Sequence, residues 1–142
     1  MGDLTTEISF EYWNKLANQI ITISSLLGGF SIAIIANILV SKADTRLVKY
    51  IMIVSTLAGS FFLATIFAMT KLLLMTTDGY PFKVQSADLI LPRTIGTISF
   101  FLGILSLITM ISLAGWTKSK RMGVVTTVIG VMTFFLILIM TT

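Results

Sequence analysis

The chain has 142 residues, of which 56% are hydrophobic and only 11% are charged, and its formal net charge is +4. It contains no histidine and no cysteine, so the sequence offers no disulfide, no thiol nucleophile and none of the commonest transition-metal ligands. A soluble domain of this size usually has about a quarter charged residues, and the composition therefore predicts an integral membrane protein.

Residues 1–19 are predicted to form an amphipathic arm ahead of the first long apolar run. Apolar side chains recur every four residues at Ile8, Tyr12 and Leu16. Glu11 and Lys15 lie on another face, at the spacing of a favourable ion pair within a helix. Two interpretations stay open: an interfacial helix that leads into the first span, or a helix that continues straight into it and extends a pore beyond the bilayer.

Four apolar runs follow, and each is long enough to cross a bilayer as a helix, which takes roughly 20 residues. They are Ile20 to Val40, Leu47 to Leu74, Thr94 to Trp116 and Gly123 to Met140. The second is the longest, and we expect its far end to project from the membrane or the helix to tilt strongly. The sequence therefore predicts an all-α fold with a four-helix transmembrane domain over residues 20–142.

The connectors contain recognisable helix and turn signals. Asp44 is expected to cap the second helix at its positive end. Asp78-Gly79 predicts a turn in the longest connector. Pro92 suits the first turn of the third helix, where a missing N–H has no consequence. The last connector, Thr117 to Met122, is predicted to be a tight basic turn.

The distribution of basic residues predicts the orientation. Six of the ten lysines and arginines fall in or beside the two short connectors, at Lys42, Arg46, Lys49, Lys118, Lys120 and Arg121. The positive-inside rule then places these connectors in the cytoplasm and both termini outside. We expect a multi-pass protein of the plasma (inner) membrane.

The acidic residues argue against catalysis. All six carboxylates lie outside the apolar runs and are widely spaced, so we expect no enzyme, no metal site and no cofactor. Proton-coupled transport is disfavoured, because such carriers usually place a carboxylate or a histidine within the membrane. The expected partners are the lipid bilayer, permeant small ions and further copies of the chain, with no nucleic acid.

Small and polar side chains form a stripe along the first span. They are spaced by three or four residues and so share one helical face. This set, called the polar stripe below, consists of Asn18, Thr22, Ser25, Gly29, Ala33 and Asn37. The stripe is either a seam for close helix packing in lipid or, if copies assemble around an axis, the lining of a narrow pore.

Glycines of the second and third spans look like packing seams. Gly59, Gly96 and Gly103 are each accompanied by serines at helical spacing. Because one protomer of four helices has too little interior to enclose a lined passage, conduction requires an oligomer.

Short motifs in three spans are similar to those of a known channel family. Residues 26–31 read Leu-Leu-Gly-Gly-Phe-Ser, Ile95-Gly96-Thr97 is followed by Phe100, and Thr126-Thr127 leads to Phe134-Phe135. The stretches resemble those of the Orai family, whose corresponding motifs are Leu-Leu-Ser-Gly-Phe-Ala and Ile-Gly-Thr-x-x-Phe. Orai proteins are four-span channels in which a ring of first helices forms a cation pore.

The resemblance implies roles for single positions. The family's acidic selectivity residue falls on Asn37, which is neutral here. Its hydrophobic constriction falls on Ala33 and Phe30, and its basic inner section on Thr22 and Asn18. Without an acidic ring, the charge that favours divalent cations is missing. The family's cytoplasmic N-terminus is also opposite to the orientation that the basic residues predict.

We therefore predict a homo-oligomeric ion channel for cations, in which the first helix of each subunit lines a central pore through the polar stripe. Asn37 is the expected selecting ring, and Leu26 or Phe30 the expected apolar gate. Two alternatives stay open. One is a non-conducting scaffold or partner-binding subunit, and the other is a small membrane-permeabilising effector.

Overall fold

The computed structural model describes residues 9–142, which form four α-helices and one short 3-10 helix, with no strand in this part of the chain. The elements are α1 (Phe10–Val40), α2 (Arg46–Met75), the 3-10 helix (Ser86–Leu89), α3 (Ile90–Lys118) and α4 (Lys120–Thr141). All four α-helices are long and apolar enough to cross a bilayer. The chain is thus an all-α, multi-pass membrane protein. Residues 1–8 of the predicted arm lie outside the described residues.

The α-helices pack in chain order, each against the next. α1 packs on α2, α2 on α3, and α3 on α4. Within the described residues, α1 and α4 share no packing interface of this kind. The helices therefore form an open array with α1 at one edge and α4 at the other.

A transmembrane core lies where α2 meets α3. Its buried side chains include those of Phe62 and Met110, which expose 0% and 2% of their surface. Apolar side chains of α1 and α4, such as Ile34 and Phe134, are partly buried against it. Because lipid tails are as apolar as these residues, the core is stabilised by close van der Waals packing rather than by exclusion from water.

Glycines allow this close packing. A Cβ atom added at Gly103 would lie 2.8 Å from the Phe62 ring, and one added at Gly28 would lie 3.2 Å from the Cβ of Phe62. A Cβ at Gly96 would overlap the side chain of Met69. α1 and α3 thus approach α2 at positions where any larger residue would meet a buried side chain.

α3 and α4 are joined by a single non-helical residue, Ser119. Its hydroxyl accepts a hydrogen bond from the Met122 N–H at 3.2 Å and so caps α4. Across the turn, the Trp116 indole donates to the Thr127 hydroxyl at 3.2 Å. The basic turn predicted over residues 117–122 is therefore shorter than expected, because its flanking lysines are already helical.

The cap of α2 differs from the prediction. Thr45, and not Asp44, caps the helix: its hydroxyl accepts from the Val48 N–H at 3.3 Å. Thr45 directly precedes the first helical residue, the position from which a side chain reaches a free N–H of the first turn. Asp44 lies one residue too early and pairs with Lys49 at 3.1 Å.

α3 begins at Ile90, four residues before the predicted span at Thr94. The 3-10 helix ahead of it is capped by Asp88, whose carboxylate accepts the Gln85 N–H at 2.9 Å, and α3 continues from its end. Pro92 lies in the first turn of α3, as predicted. The predicted turn at Asp78-Gly79 is also present, with Gly79 at a φ of 87°.

α1 runs unbroken over 31 residues, about 46 Å at 1.5 Å per residue. Residues 10–19 form one continuous helix with the first span, as in the second interpretation of the arm. α2 and α3 contain 30 and 29 residues, whereas α4 contains 22. Since α3 and α4 meet at Ser119, the other end of α3 projects about 10 Å beyond the end of α4.

A second buried cluster holds the projecting ends of α1, α2 and α3 together. It consists of Ala17, Met69, Leu72 and Leu89, with Trp13 partly buried against it. This cluster lies at the end of the molecule that carries the N-terminus, apart from the transmembrane core. The projecting ends are therefore a packed unit rather than three separate helix tips.

Polar contacts strengthen this unit. The Asn14 amide donates to the Leu73 carbonyl at 3.2 Å and to the Thr77 hydroxyl at 3.0 Å. It thereby ties α1 to the last turn of α2, where backbone carbonyls lack helical partners. The Arg93 guanidinium of α3 lies 4.6 Å from the centre of the Trp13 ring, a cation–π contact.

Gly103→Ala is expected to lower the free energy of unfolding by about 1–3 kcal/mol, because the new methyl group overlaps a buried ring. Gly29→Ala is the matched control, since nothing lies within 4 Å of a Cβ added there. Reversible denaturation in detergent micelles measures both. Equal stability of the two variants would contradict the packing described for α2 and α3.

Asn14→Ala is expected to lower the free energy of unfolding by about 1–2 kcal/mol, because it removes the hydrogen bonds to the end of α2. Asn18→Ala, one turn further along α1, is the control: its side chain is exposed and the same substitution there should change stability little. Denaturant titration monitored by tryptophan fluorescence compares the two, since Trp13 lies beside Asn14. A loss that is as large for Asn18→Ala would rule out a specific role for Asn14.

Candidate functional site

The polar stripe lies on an exposed face of α1. All six of its members are exposed in the protomer. The buried residues of α1 form a different set, namely Ala17, Ser24, Gly28 and Ser31. At 3.6 residues per turn, the two sets lie on different sides of the helix, with their centres about 140° apart. The stripe is therefore not the seam by which α1 packs within its own chain.

Adjacent residues show the contrast between the two faces. Ser24 is 0% exposed, whereas Ser25 is exposed. A Cβ at Gly28 would meet Phe62 at 3.2 Å, whereas a Cβ at Gly29 would meet nothing within 4 Å. Of the two explanations for the stripe, packing between helices can hold only between copies of the chain or against another protein. A face that meets water in an assembly is the other explanation.

The stripe extends over the depth of a bilayer. Asn18 and Asn37 are 19 positions apart, which corresponds to about 28 Å along a helix, and the hydrocarbon core is about 30 Å thick. Gly28, midway between the two asparagines, packs beside Phe62 near the middle of α2. The asparagines therefore lie towards the two ends of the membrane-spanning part of α1.

The polar groups of the stripe differ in how they are satisfied. The Thr22 hydroxyl donates to the Asn18 carbonyl at 2.9 Å and needs no further partner. The Asn18 and Asn37 amides make no hydrogen bond to any residue in the range 9–142. Transfer of an amide from water to an apolar medium without a hydrogen-bond partner costs roughly 2–7 kcal/mol. Both amides are thus free to form hydrogen bonds with water or with another molecule.

The predicted gate residues lie beside the stripe. Leu26 and Phe30 are 75% and 53% exposed, and they are one turn apart on α1. Both are large, apolar and exposed in the protomer. Their side chains are thus available to contact equivalent residues of other copies.

The three glycines predicted to serve packing are all buried. A Cβ at Gly59 would lie 3.9 Å from Ile32, at the contact of α1 with α2. Gly96 and Gly103 lie at the contact of α2 with α3, where the Thr65 hydroxyl is 3.5 Å from the Gly96 carbonyl.

The buried small-residue seam of α1 was not among the sequence predictions. Ser24, Gly28 and Ser31 follow the i, i+4, i+7 spacing of one helix face, so a signal for the seam was present. The Ser24 hydroxyl and that of Ser55 on α2 are buried without a hydrogen-bond partner, whereas the Ser31 hydroxyl donates to the Leu27 carbonyl at 3.0 Å.

Charged contacts occur at the start of α1. Glu11 and Lys15 form the predicted ion pair at 2.8 Å. The hydrogen bond from Lys15, and then its charge, lower the pKa of Glu11, and the same contact raises the pKa of Lys15. Both side chains are exposed, so the pair contributes little to stability in water. Within residues 9–142, no three acidic side chains lie close enough together to hold a metal ion.

Comparison with models of protein families, with curated proteins and with solved structures found no match to the chain. The resemblance of its short motifs to those of Orai channels therefore stays a prediction from the sequence. What the fold and the site define is the class: a four-helix membrane protein with an exposed polar face on its first helix.

Proposed function

We propose that the chain forms a homo-oligomeric ion channel for cations, in which α1 of each copy lines a central pore through the polar stripe. The observation that carries this proposal is the exposure of all six stripe residues in the protomer. α1 packs into the fold by another face, and within residues 9–142 no other helix covers the stripe.

Lipid is an unfavourable environment for this face, because Asn37 would place an unpaired amide at the edge of the hydrocarbon. Assembly around an axis removes the stripe from lipid. Tight helix packing favours glycine, alanine and serine at the closest approach, and the two asparagines are bulkier than such a seam accommodates. The small residues between them, Ser25, Gly29 and Ala33, leave space at the axis for water and ions.

The order of the helices is compatible with such a ring. α1 lies at one edge of the array, so several protomers can bring their first helices together without breaking contacts within each protomer. α4 lies at the other edge and buries only Gly123 and Gly130. In the proposed assembly, α4 faces lipid at the periphery.

The chemistry of the lining suggests the properties of the pore. Asn37 forms an uncharged ring of amides near the end of α1, and Leu26 or Phe30 forms an apolar constriction that closes by excluding water. A lining without charge discriminates weakly among small ions. The preference for cations follows from the resemblance to Orai channels, and weak discrimination follows from the neutral Asn37.

Asn37→Asp tests the selecting ring. In reconstituted bilayers, the added ring of negative charge is expected to raise the permeability ratio of cations over anions by about tenfold, because it concentrates cations at the mouth. Asn37→Gln keeps the ring neutral and is expected to leave this ratio near that of the natural chain. Single-channel currents under a salt gradient measure it. Absence of current, or no response to the added charge, would contradict the proposal.

Ser24 and Ser25 provide a matched pair for testing which face meets water. The chain has no natural cysteine, so each serine-to-cysteine variant contains a single thiol. We expect a charged, membrane-impermeant thiosulfonate to modify Ser25→Cys and block most of its current. Ser24→Cys, buried against α2, should keep its current. If the reagent modified Ser24→Cys and left Ser25→Cys unmodified, the assignment of the two faces would be wrong.

The two alternatives lead to other results. A non-conducting scaffold would show no current in any variant, and Gly29→Leu or Gly103→Leu would abolish capture of its partner. A membrane-permeabilising effector would collapse the membrane potential rapidly on expression. The measured current and its dependence on residue 37 separate both from a selective channel.

A further inference from the structure

A cavity of about 480 Å³ lies at the projecting end of the molecule, away from the polar stripe. The end of α2, the long connector and the start of α3 surround it. Its lining includes Lys71, Tyr80, Phe82, Lys83, Asp88 and Leu91. The channel proposal assigns no role to this cavity.

The cavity presents two cationic groups. Lys71 comes from α2 and Lys83 from the connector, and both are exposed. In the part of the chain that the structure describes, neither is within ion-pair distance of a carboxylate. The Asp88 carboxylate on the same cavity accepts the Gln85 N–H at 2.9 Å. The lining thus has two ammonium groups and one carboxylate, and its net positive charge favours an anion.

Apolar surface lies beside these charges. Phe82 and Leu91 are 71% and 62% exposed, and both line the cavity. The Phe82 ring is held by an edge contact with Tyr80, with 5.8 Å between ring centres. A ligand that satisfies the whole cavity therefore has an anionic part and an apolar part.

The cavity lies at the depth of the lipid headgroups. Lys71 is 25 positions from Arg46 at the start of α2, which is about 37 Å along the helix. The hydrocarbon core is about 30 Å thick, and the bilayer with its headgroup regions about 40–45 Å. With Arg46 at one membrane surface, Lys71 lies in the headgroup layer of the other.

We propose that this cavity binds the headgroup of an anionic phospholipid. Lys71 and Lys83 contact the phosphate oxygens, and Phe82 and Leu91 pack against the glycerol and the upper acyl chains. The apolar surface and the depth favour a membrane lipid over a free phosphate, which would leave both exposed apolar side chains without a partner. The site does not depend on whether the chain conducts ions.

The test is native mass spectrometry of the full chain in detergent with phosphatidylglycerol, phosphatidylcholine or inorganic phosphate. The natural chain is expected to retain phosphatidylglycerol in preference to phosphatidylcholine. Replacement of both lysines, Lys71→Gln with Lys83→Gln, should weaken this retention about 30-fold, since each basic residue contributes about one factor of five at an anionic lipid surface. Lys83→Gln alone should weaken it about fivefold and serves if the double variant fails to fold.

The matched control is Lys15→Gln with Lys49→Gln. It removes the same amount of charge, but from lysines that are already paired with Glu11 and Asp44. Loss of phosphatidylglycerol from the cavity variants alone supports the proposal. An equal loss from the control, or no preference for phosphatidylglycerol in the natural chain, would overturn it. Displacement of the lipid by millimolar inorganic phosphate would also overturn it, because the site would then belong to a free anion.

Discussion

A polar side chain within a bilayer needs a partner or water, and the functional interpretation of this protein depends on that constraint. α1 has two faces rich in small residues, and the described part of the chain, residues 9–142, covers only one of them. Ser24 and Gly28 pack against α2, while Ser25 and Gly29 face outward. The outward face ends in two asparagine amides that no residue in the range 9–142 satisfies. In the proposed assembly, other copies or water cover this face and provide partners for its polar groups.

The helix array is compatible with the proposed assembly. Contacts run from α1 to α2, α3 and α4 in turn, so the polar face lies at an edge rather than inside the protomer. The second buried cluster and the contacts of Asn14 and Arg93 fix the projecting end of α1 to α2 and α3. Together with the packing of Gly28 on Phe62, these contacts hold α1 with one face outward. The same projecting end creates the cavity that bears Lys71 and Lys83.

Much of the fold follows from the sequence, because bilayer thickness limits what an apolar run can be. The four spans were predictable on that basis. The missing N–H of proline made the first-turn position of Pro92 predictable, and helical spacing did the same for the Glu11–Lys15 pair. The ends of the helices were less predictable. Thr45 rather than Asp44 caps α2, since a shift of one residue decides which side chain reaches the free N–H groups.

The two faces of α1 mark the limit of sequence reasoning about the site. Ser24-Ser25 and Gly28-Gly29 are adjacent pairs, so both faces have the same small-residue periodicity. Periodicity identifies such faces but does not tell which one the chain packs. The packed face is identified by its contact with α2, where Phe62 lies against Gly28. The contacts of Asn14 were likewise unpredictable, because their acceptors lie about 60 residues away in the sequence.

The most direct test of this account is an image of the assembled protein in lipid at a resolution that separates the helices. We expect several copies around an axis, with α1 nearest to it and with Ser25 and Gly29 facing a hydrated path. A centre that is filled with lipid, or surrounded by α2, α3 or α4, would contradict it.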